Sequence, residues 1–270
     1  MAVGEIKIEN MESYNQAMSK SMIDKMFFMD KMDESVRTVF DYGCADGVLI
    51  GTLARLFPDM TYIGYDLDKD MIRKAEERCK GLGNVVLFSS LGAFGEWAET
   101  NKLDFSKTAI NLSSLIHEVY SYGTEESIRD FWRFVTASGF GCIVIRDMCL
   151  DASAHRSALK EDVIKLRSGF DSKLLTQFEE LHGSITDNWN LIHFLLKYRY
   201  TDNWEREVRE NYLPVSVEEI MGKITEHKAA YRLIYFDHYI LPYIARTVKK
   251  DFDIALKDYT HVKFIYELRQ

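Results

Sequence analysis

Between Arg37 and Asp147 the sequence turns five times from a short apolar run to a stretch with helical spacing, without a break in phase. Strands that alternate with helices in this way build a parallel sheet covered on both faces. The runs are Thr38 to Tyr42, Thr61 to Tyr65, Val85 to Phe88, Thr108 to Leu112 and Cys142 to Arg146. Leu49, Leu53, Leu56 and Phe57 mark one helical face, which stops at Pro58. Met71, Ile72, Ala75 and Cys79 mark a second, which stops at Gly81-Leu82-Gly83-Asn84. A looser piece containing Trp97 precedes the fourth run, and a helix is expected from about Glu125 to Thr136.

The flanks follow other rules. Tyr14, Met18, Met22, Met26 and Met29 recur at helical spacing, which predicts an N-terminal helix from about Met11 to Met32 whose methionines pack into a core. After Asp151 some 60 residues, Ala152 to Leu213, carry helical periodicity and no strand signal. Ser216 and Glu219 form a capping box for the next helix. Two late strands, Tyr231 to Phe236 and Val262 to Glu267, are joined by a helical connection with Ile244, Val248 and Phe252. The expected division is therefore an N-terminal helical segment (1–36), an α/β core (37–151), a helical insertion serving as a substrate cap (152–213), and the C-terminal part of the core sheet (214–270).

Composition narrows the function classes. Hydrophobic residues make up 47% of the 270 and proline only 3 of them, which excludes a disordered or collagen-like chain. No stretch reaches the roughly 18 apolar residues of a membrane span. The first residues lack a basic run followed by an apolar core, so the expected location is cytoplasmic. Cys44, Cys79, Cys142 and Cys149 have no C-x-x-C spacing and read as buried thiols. The net charge of −8 argues against general DNA or RNA binding, but it divides into −9 over residues 1–190 and +1 over residues 191–270.

The most informative piece is Asp41-Tyr42-Gly43-Cys44-Ala45-Asp46-Gly47, where small residues lie between a strand and a helix. Such a turn lets a ligand approach the backbone at a helix N-terminus. Asp66 follows nineteen residues after Gly47, at the end of the second strand, where a carboxylate can accept both hydroxyls of a ribose. Together they point to a ligand containing a nucleoside.

These residues, with Tyr62-Ile63-Gly64-Tyr65-Asp66-Leu67-Asp68, resemble the first two motifs of the class I S-adenosylmethionine-dependent methyltransferases. The chain departs from that pattern in Ala45, which stands at a glycine position, and in Ser89-Ser90, where the family has an acidic or polar residue. The resemblance covers about residues 35–150 and leaves the acceptor undefined. It implies a Rossmann-like doubly wound sheet, mostly parallel with an antiparallel C-terminal strand, and S-adenosyl-L-methionine as cofactor. It further implies that Gly43, Cys44, Ala45 and Gly47 line the methionine part, Asp41 organises the loop, Asp66 holds the ribose, and Leu67, Ser89 and Ser90 flank adenine. Asn111, Leu112 and Ser113 would pass beneath the sulfonium.

His117 and Glu118 open the next helix on the same side and are the candidate catalytic residues, His117 as a base. A backbone-bonded histidine and a first-turn acid would explain them equally well. Asp147 is well placed for a metal but no second acid has convincing spacing, so no metal is expected. His193, Lys197, Tyr198, Arg199, Tyr200, Trp204, Arg206, Arg209 and Tyr212 interleave bases with aromatics. That mixture suits a nucleotide or RNA acceptor. A solvated helix with ion pairs to Asp202, Glu205, Glu207 and Glu210 explains it with fewer assumptions. Two functions stay open: methyl transfer to a small molecule or RNA, and an inactive cofactor-binding module acting through its insertion.

Overall fold

The computed structural model describes residues 22–226 and 231–269. Seven strands form one sheet in the order β3-β2-β1-β4-β5-β7-β6. The first five are β1 (Thr38–Tyr42), β2 (Thr61–Tyr65), β3 (Val85–Phe88), β4 (Thr108–Ser113) and β5 (Cys142–Met148). They pair in parallel, with Asp41 in register with both Gly64 and Asn111. The last two are β6 (Tyr231–Tyr239) and β7 (His261–Leu268). β7 runs antiparallel to both β5 and β6. The expected doubly wound, mostly parallel sheet is therefore present, with one antiparallel strand near its C-terminal edge.

The helices between the parallel strands are α2 (Val48–Leu56), α3 (Lys69–Arg78), α4 (Leu91–Thr100), α5 (Ile116–Tyr122) and α6 (Glu125–Ala137). The loose piece around Trp97 is the helix α4, started by Ser90, whose hydroxyl accepts the Ala93 N–H at 3.4 Å. One sheet face packs Phe40, Ile110 and Ile143 against Phe94, Phe131 and Val135. The other packs Val39, Tyr62 and Val144 against Leu49, Leu53 and Ile72. Consecutive strand residues thus serve opposite faces, which is why each run reads as continuously apolar.

Residues 152–213 contain the helices α7 (Lys160–Gly169), α8 (Ser172–His182), α9 (Asn188–Lys197) and α10 (Trp204–Glu207) and no named strand. α11 (Val217–Glu226) and α12 (Pro242–Phe252) follow. Phe178, Phe194, Trp204 and Tyr212 share a third core with Val248, Phe252 and Ile254, so α12 and the stretch just after it pack with these helices. No described helix is long and apolar enough to cross a membrane. All four cysteines are buried and free.

Among the described residues the N-terminal helix ends at Lys25, earlier than the Met32 that its periodicity predicts. Tyr14 and Met18 lie outside the described residues; the described part of the helix, α1, is Met22–Lys25, and turns then lead to Met32. Phe28, fully buried, anchors those turns, and Met22, Met26, Met29 and Met32 pack against the same core. Asp24 fixes this segment across the sheet. Its carboxylate accepts Arg146 Nε at 2.8 Å from β5 and Tyr239 Oη at 2.6 Å from β6, and it pairs with Lys263 Nζ of β7 at 2.6 Å.

Candidate functional site

The loop after β1 is shaped by left-handed backbone at Gly43 (φ 86°), Ala45 (φ 46°) and Gly47 (φ 72°). A Cβ at Gly47 would lie 2.8 Å from the Cβ of Ala75, and one at Gly43 would lie 2.7 Å from Leu115 Cδ1. The left-handed backbone favours glycine at both positions, and at Gly47 the space beside Ala75 requires it as well. The Gly43 and Cys44 amides donate to the Tyr65 carbonyl at 2.8 and 2.9 Å. Asp66 braces the loop from β2: its Oδ2 accepts the Ala45 N–H at 2.8 Å and its Oδ1 the Asp68 N–H at 2.9 Å. Each oxygen retains a further lone pair for a ligand. Burial raises the Asp66 pKa above the usual carboxylate value.

Asp41 and Asn111 meet at the C-terminal ends of β1 and β4. Asn111 Nδ2 donates to Asp41 Oδ1 at 2.7 Å. Asn111 Oδ1 and Ser113 Oγ are buried and make no hydrogen bond to the described residues. Burial pushes the Asp41 carboxyl up to about 6, while the Asn111 amide and the charge of Lys25 act in the opposite direction. Lys25, on α1, is also buried, with Asp41, Asp147 and Glu118 within electrostatic reach.

The remaining expected cofactor residues are spread along this edge. Cys44 is buried beneath Gly64. Leu67 is 79% exposed at the rim. Ser89 is half-buried, and Ser90 is exposed and caps α4. The Leu112 side chain is fully buried in the core beside Ile110, so only its backbone faces this edge.

Past β4 the chain turns through Ser114, whose φ is 56°. Its N–H donates to the Arg146 carbonyl at 2.7 Å, and Arg146 Nη1 donates to its hydroxyl at 2.9 Å. Asp147 of β5 then starts α5. Its Oδ2 accepts the Leu115 and Ile116 amides at 3.0 and 2.7 Å, and its Oδ1 contacts His117 Nδ1 at 2.6 Å. One carboxylate thereby places both the helix and the ring.

The other ring nitrogen, Nε2, lies 3.1 Å from Glu210 Oε1. Burial acts to lower the His117 pKa, but Asp147 and Glu210 hold it well above the usual histidine value. Glu210 also accepts Tyr122 Oη at 3.3 Å. Arg206 Nη2 stands 3.6 Å from Glu210 and 3.7 Å from Glu118. Burial and then the Glu210 charge push Glu118 up to about 7.

Glu210 reaches the sheet because the segment after α10 is pinned from beneath. Lys197, fully buried, donates to the carbonyls of Glu207, at 2.7 Å, and Glu210. Its ammonium lies 4.5 Å from the centre of the Tyr212 ring. Tyr212 donates its hydroxyl to Glu207 and its N–H to His193 Nε2 at 3.1 Å, and its ring meets His117 edge-on at 5.6 Å. The solvated-helix reading of this stretch is thus corrected. It holds for Arg199, Asp202, Glu205 and Arg209, which are exposed, but His193, Lys197, Glu207, Glu210 and Tyr212 are buried. Tyr198 and Trp204 lie in the helical core, so they offer no platform for stacking on a base.

Residues 33–121 match the family model described as a methyltransferase domain, in agreement with the resemblance carried by the loop after β1 and by Asp66. None of the curated proteins matches the chain. The plantazolicin methyltransferase BpumL, solved in complex with SAH, is similar with a TM-score of 0.51 at 10% identity, over 97% of this chain and 87% of that one. The methyltransferase domain of bacterial CtHen1-C gives 0.48 at 12% identity, covering 95% and 99%. The N-methyltransferase NodS from Bradyrhizobium japonicum WM9 gives 0.44 at 10%, covering 96% and 99%. The likeness to BpumL shows that the fold extends over nearly the whole chain, beyond the segment that the family model matches.

Proposed function

We propose that this chain, with a methyltransferase domain over residues 33–121 and a Rossmann-like sheet, is an S-adenosylmethionine-dependent methyltransferase acting on a small molecule. The observation that carries the reading is the pair Asp41 and Asn111, which offers a buried carboxylate and an amide oxygen lacking a described donor beside the Gly43–Gly47 loop. Buried acceptors without donors are costly unless a ligand supplies the donor. A methionine ammonium does so with matching charge. Asp66 has lone pairs left for the ribose hydroxyls, Leu67 and Ser89 would hold the adenine, and Ser113 would face the methyl-bearing sulfur.

Bound there, S-adenosylmethionine supplies a methyl group to an acceptor lone pair in line with the breaking C–S bond, whose electrons return to sulfur. The residues of this chain hold the acceptor in that line, an effect worth about 7–11 kcal/mol in favourable cases. We assign the acceptor side to His117 and Glu118. Because both nitrogens of His117 face carboxylates, its part is to fix Glu210 and orient the pocket, and a proton leaving the acceptor has the Glu118 carboxylate, pushed up to about 7 by burial, to receive it. We place the acceptor beneath a cap formed by residues 152–213, set between the core (37–151) and the returning sheet (214–270). The burial of Tyr198, Trp204 and Tyr212 favours a small acceptor over RNA.

Calorimetry with S-adenosylmethionine and with its demethylated product tests the first step; folded protein that gives no heat with either overturns the proposal. Asp66→Ala should weaken binding by roughly a hundredfold, since it loses charge-assisted hydrogen bonds to ribose, with the circular dichroism unchanged. Radiolabelled methyl transfer into a cell extract then reads the acceptor. Label that disappears on ribonuclease treatment would identify RNA instead of a small molecule.

A further inference from the structure

We infer that His117, Glu118 and Glu210 form a binding site for one divalent transition-metal cation on the acceptor side of the cleft. The spacing that argued against a metal in the sequence is replaced in space: the second and third ligands come from α5 and from the segment after α10. One atom from each residue lies within 4.8 Å of the others. Ligands on adjacent positions around a metal, each about 2.0–2.2 Å from it, stand roughly 3.0–3.4 Å apart. His117 Nε2 and Glu210 Oε1 are already 3.1 Å apart.

Two further observations point to a ligand. His117 Nδ1 is held by Asp147 at 2.6 Å, and Asp147 is in turn fixed by the Leu115 and Ile116 amides. A carboxylate behind the distal ring nitrogen is the arrangement that orients metal-bound histidines, leaving Nε2 to coordinate. Glu118 has a side chain 38% exposed, and its carboxylate makes no hydrogen bond among the described residues, so it can turn toward the centre. Arg206 balances one charge but stands 3.6 and 3.7 Å from the two glutamates, beyond hydrogen-bonding distance. One imidazole with two carboxylates suits Mn²⁺, Fe²⁺, Co²⁺ or Zn²⁺ better than Ca²⁺. Three protein ligands leave open positions on the Glu118 side, where a cation would hold an acceptor hydroxyl and ease the loss of its proton.

The catalytic use of the metal rests on the proposed methyl transfer; its binding does not. Full-length protein titrated with Co²⁺, followed by visible absorption and calorimetry, should take up one ion per chain with a spectrum that reports nitrogen and oxygen ligands. Glu118→Gln should lower the affinity at least tenfold without affecting folding, because that carboxylate makes no hydrogen bond among the described residues. Asp147→Asn should weaken binding about 10–100-fold by releasing the ring. Wild type binding Co²⁺ no more tightly than Glu118→Gln, or giving no ligand-field spectrum, overturns the site. Co²⁺ binding without S-adenosylmethionine binding would keep the site and remove the methyltransferase reading. The reverse pattern would do the opposite.

Discussion

On the cofactor side of the cleft, order comes from the backbone: Gly43, Ala45 and Gly47 set the loop, and Asp66 secures it through the amides of Ala45 and Asp68. On the acceptor side it comes from buried charge, with Asp147, His117, Glu210 and Arg206 contributed by β5, α5 and the segment around α10. The first arrangement depends on glycine conformation and on one bracing carboxylate. The second fails when a single partner is removed, because a buried ion without its counterpart is far more costly than the pair is favourable.

Stability measurements can break that comparison. Glu210→Ala removes the carboxylate facing His117, Tyr122 and Arg206, and should cost about 3–5 kcal/mol by denaturant titration. A loss under about 1 kcal/mol would place the cluster with ordinary surface pairs. Cofactor binding should depend on pH. Asp41 has its carboxyl raised to about 6 in the free protein, so below that value a proton competes with the ammonium of S-adenosylmethionine. The dissociation constant should then rise about tenfold per pH unit as pH falls below 6, and stay nearly flat above it. Asp41→Asn should bind more weakly throughout and lose the slope. The smallest effect belongs to the ion pair at 2.7 Å between Arg78 and Asp46, whose arginine is 42% exposed. Arg78→Ala should change stability by less than about 1 kcal/mol, and the change should shrink in high salt.

The same contrast explains what could be read from the sequence. The five parallel strands and the Gly43–Gly47 loop arise from residues adjacent along the chain, and their periodicity and glycines write them directly. Asp66 stands at a spacing set by one helix and one strand. Glu210 has no such marker. It meets His117 only because Lys197 and Tyr212 bury the segment that carries it, and its neighbours Glu205 and Arg209 are solvated. A glutamate among alternating charges looks the same whether it faces water or a buried histidine. Leu112 shows the converse: an apolar residue within a motif has two faces to choose from, and the strand alternation turned it to the core.

Asp24 carries a consequence for how the molecule assembles. Its carboxylate is satisfied by Arg146, Tyr239 and Lys263, and the hydrogen-bonded partners Arg146 and Tyr239 lie 122 and 215 positions further along the chain. Closing loops of that length is entropically unfavourable until the strands at the far edge have paired. A segment synthesised early therefore docks late, and a nascent chain that has not yet released β7 carries its sheet without this latch.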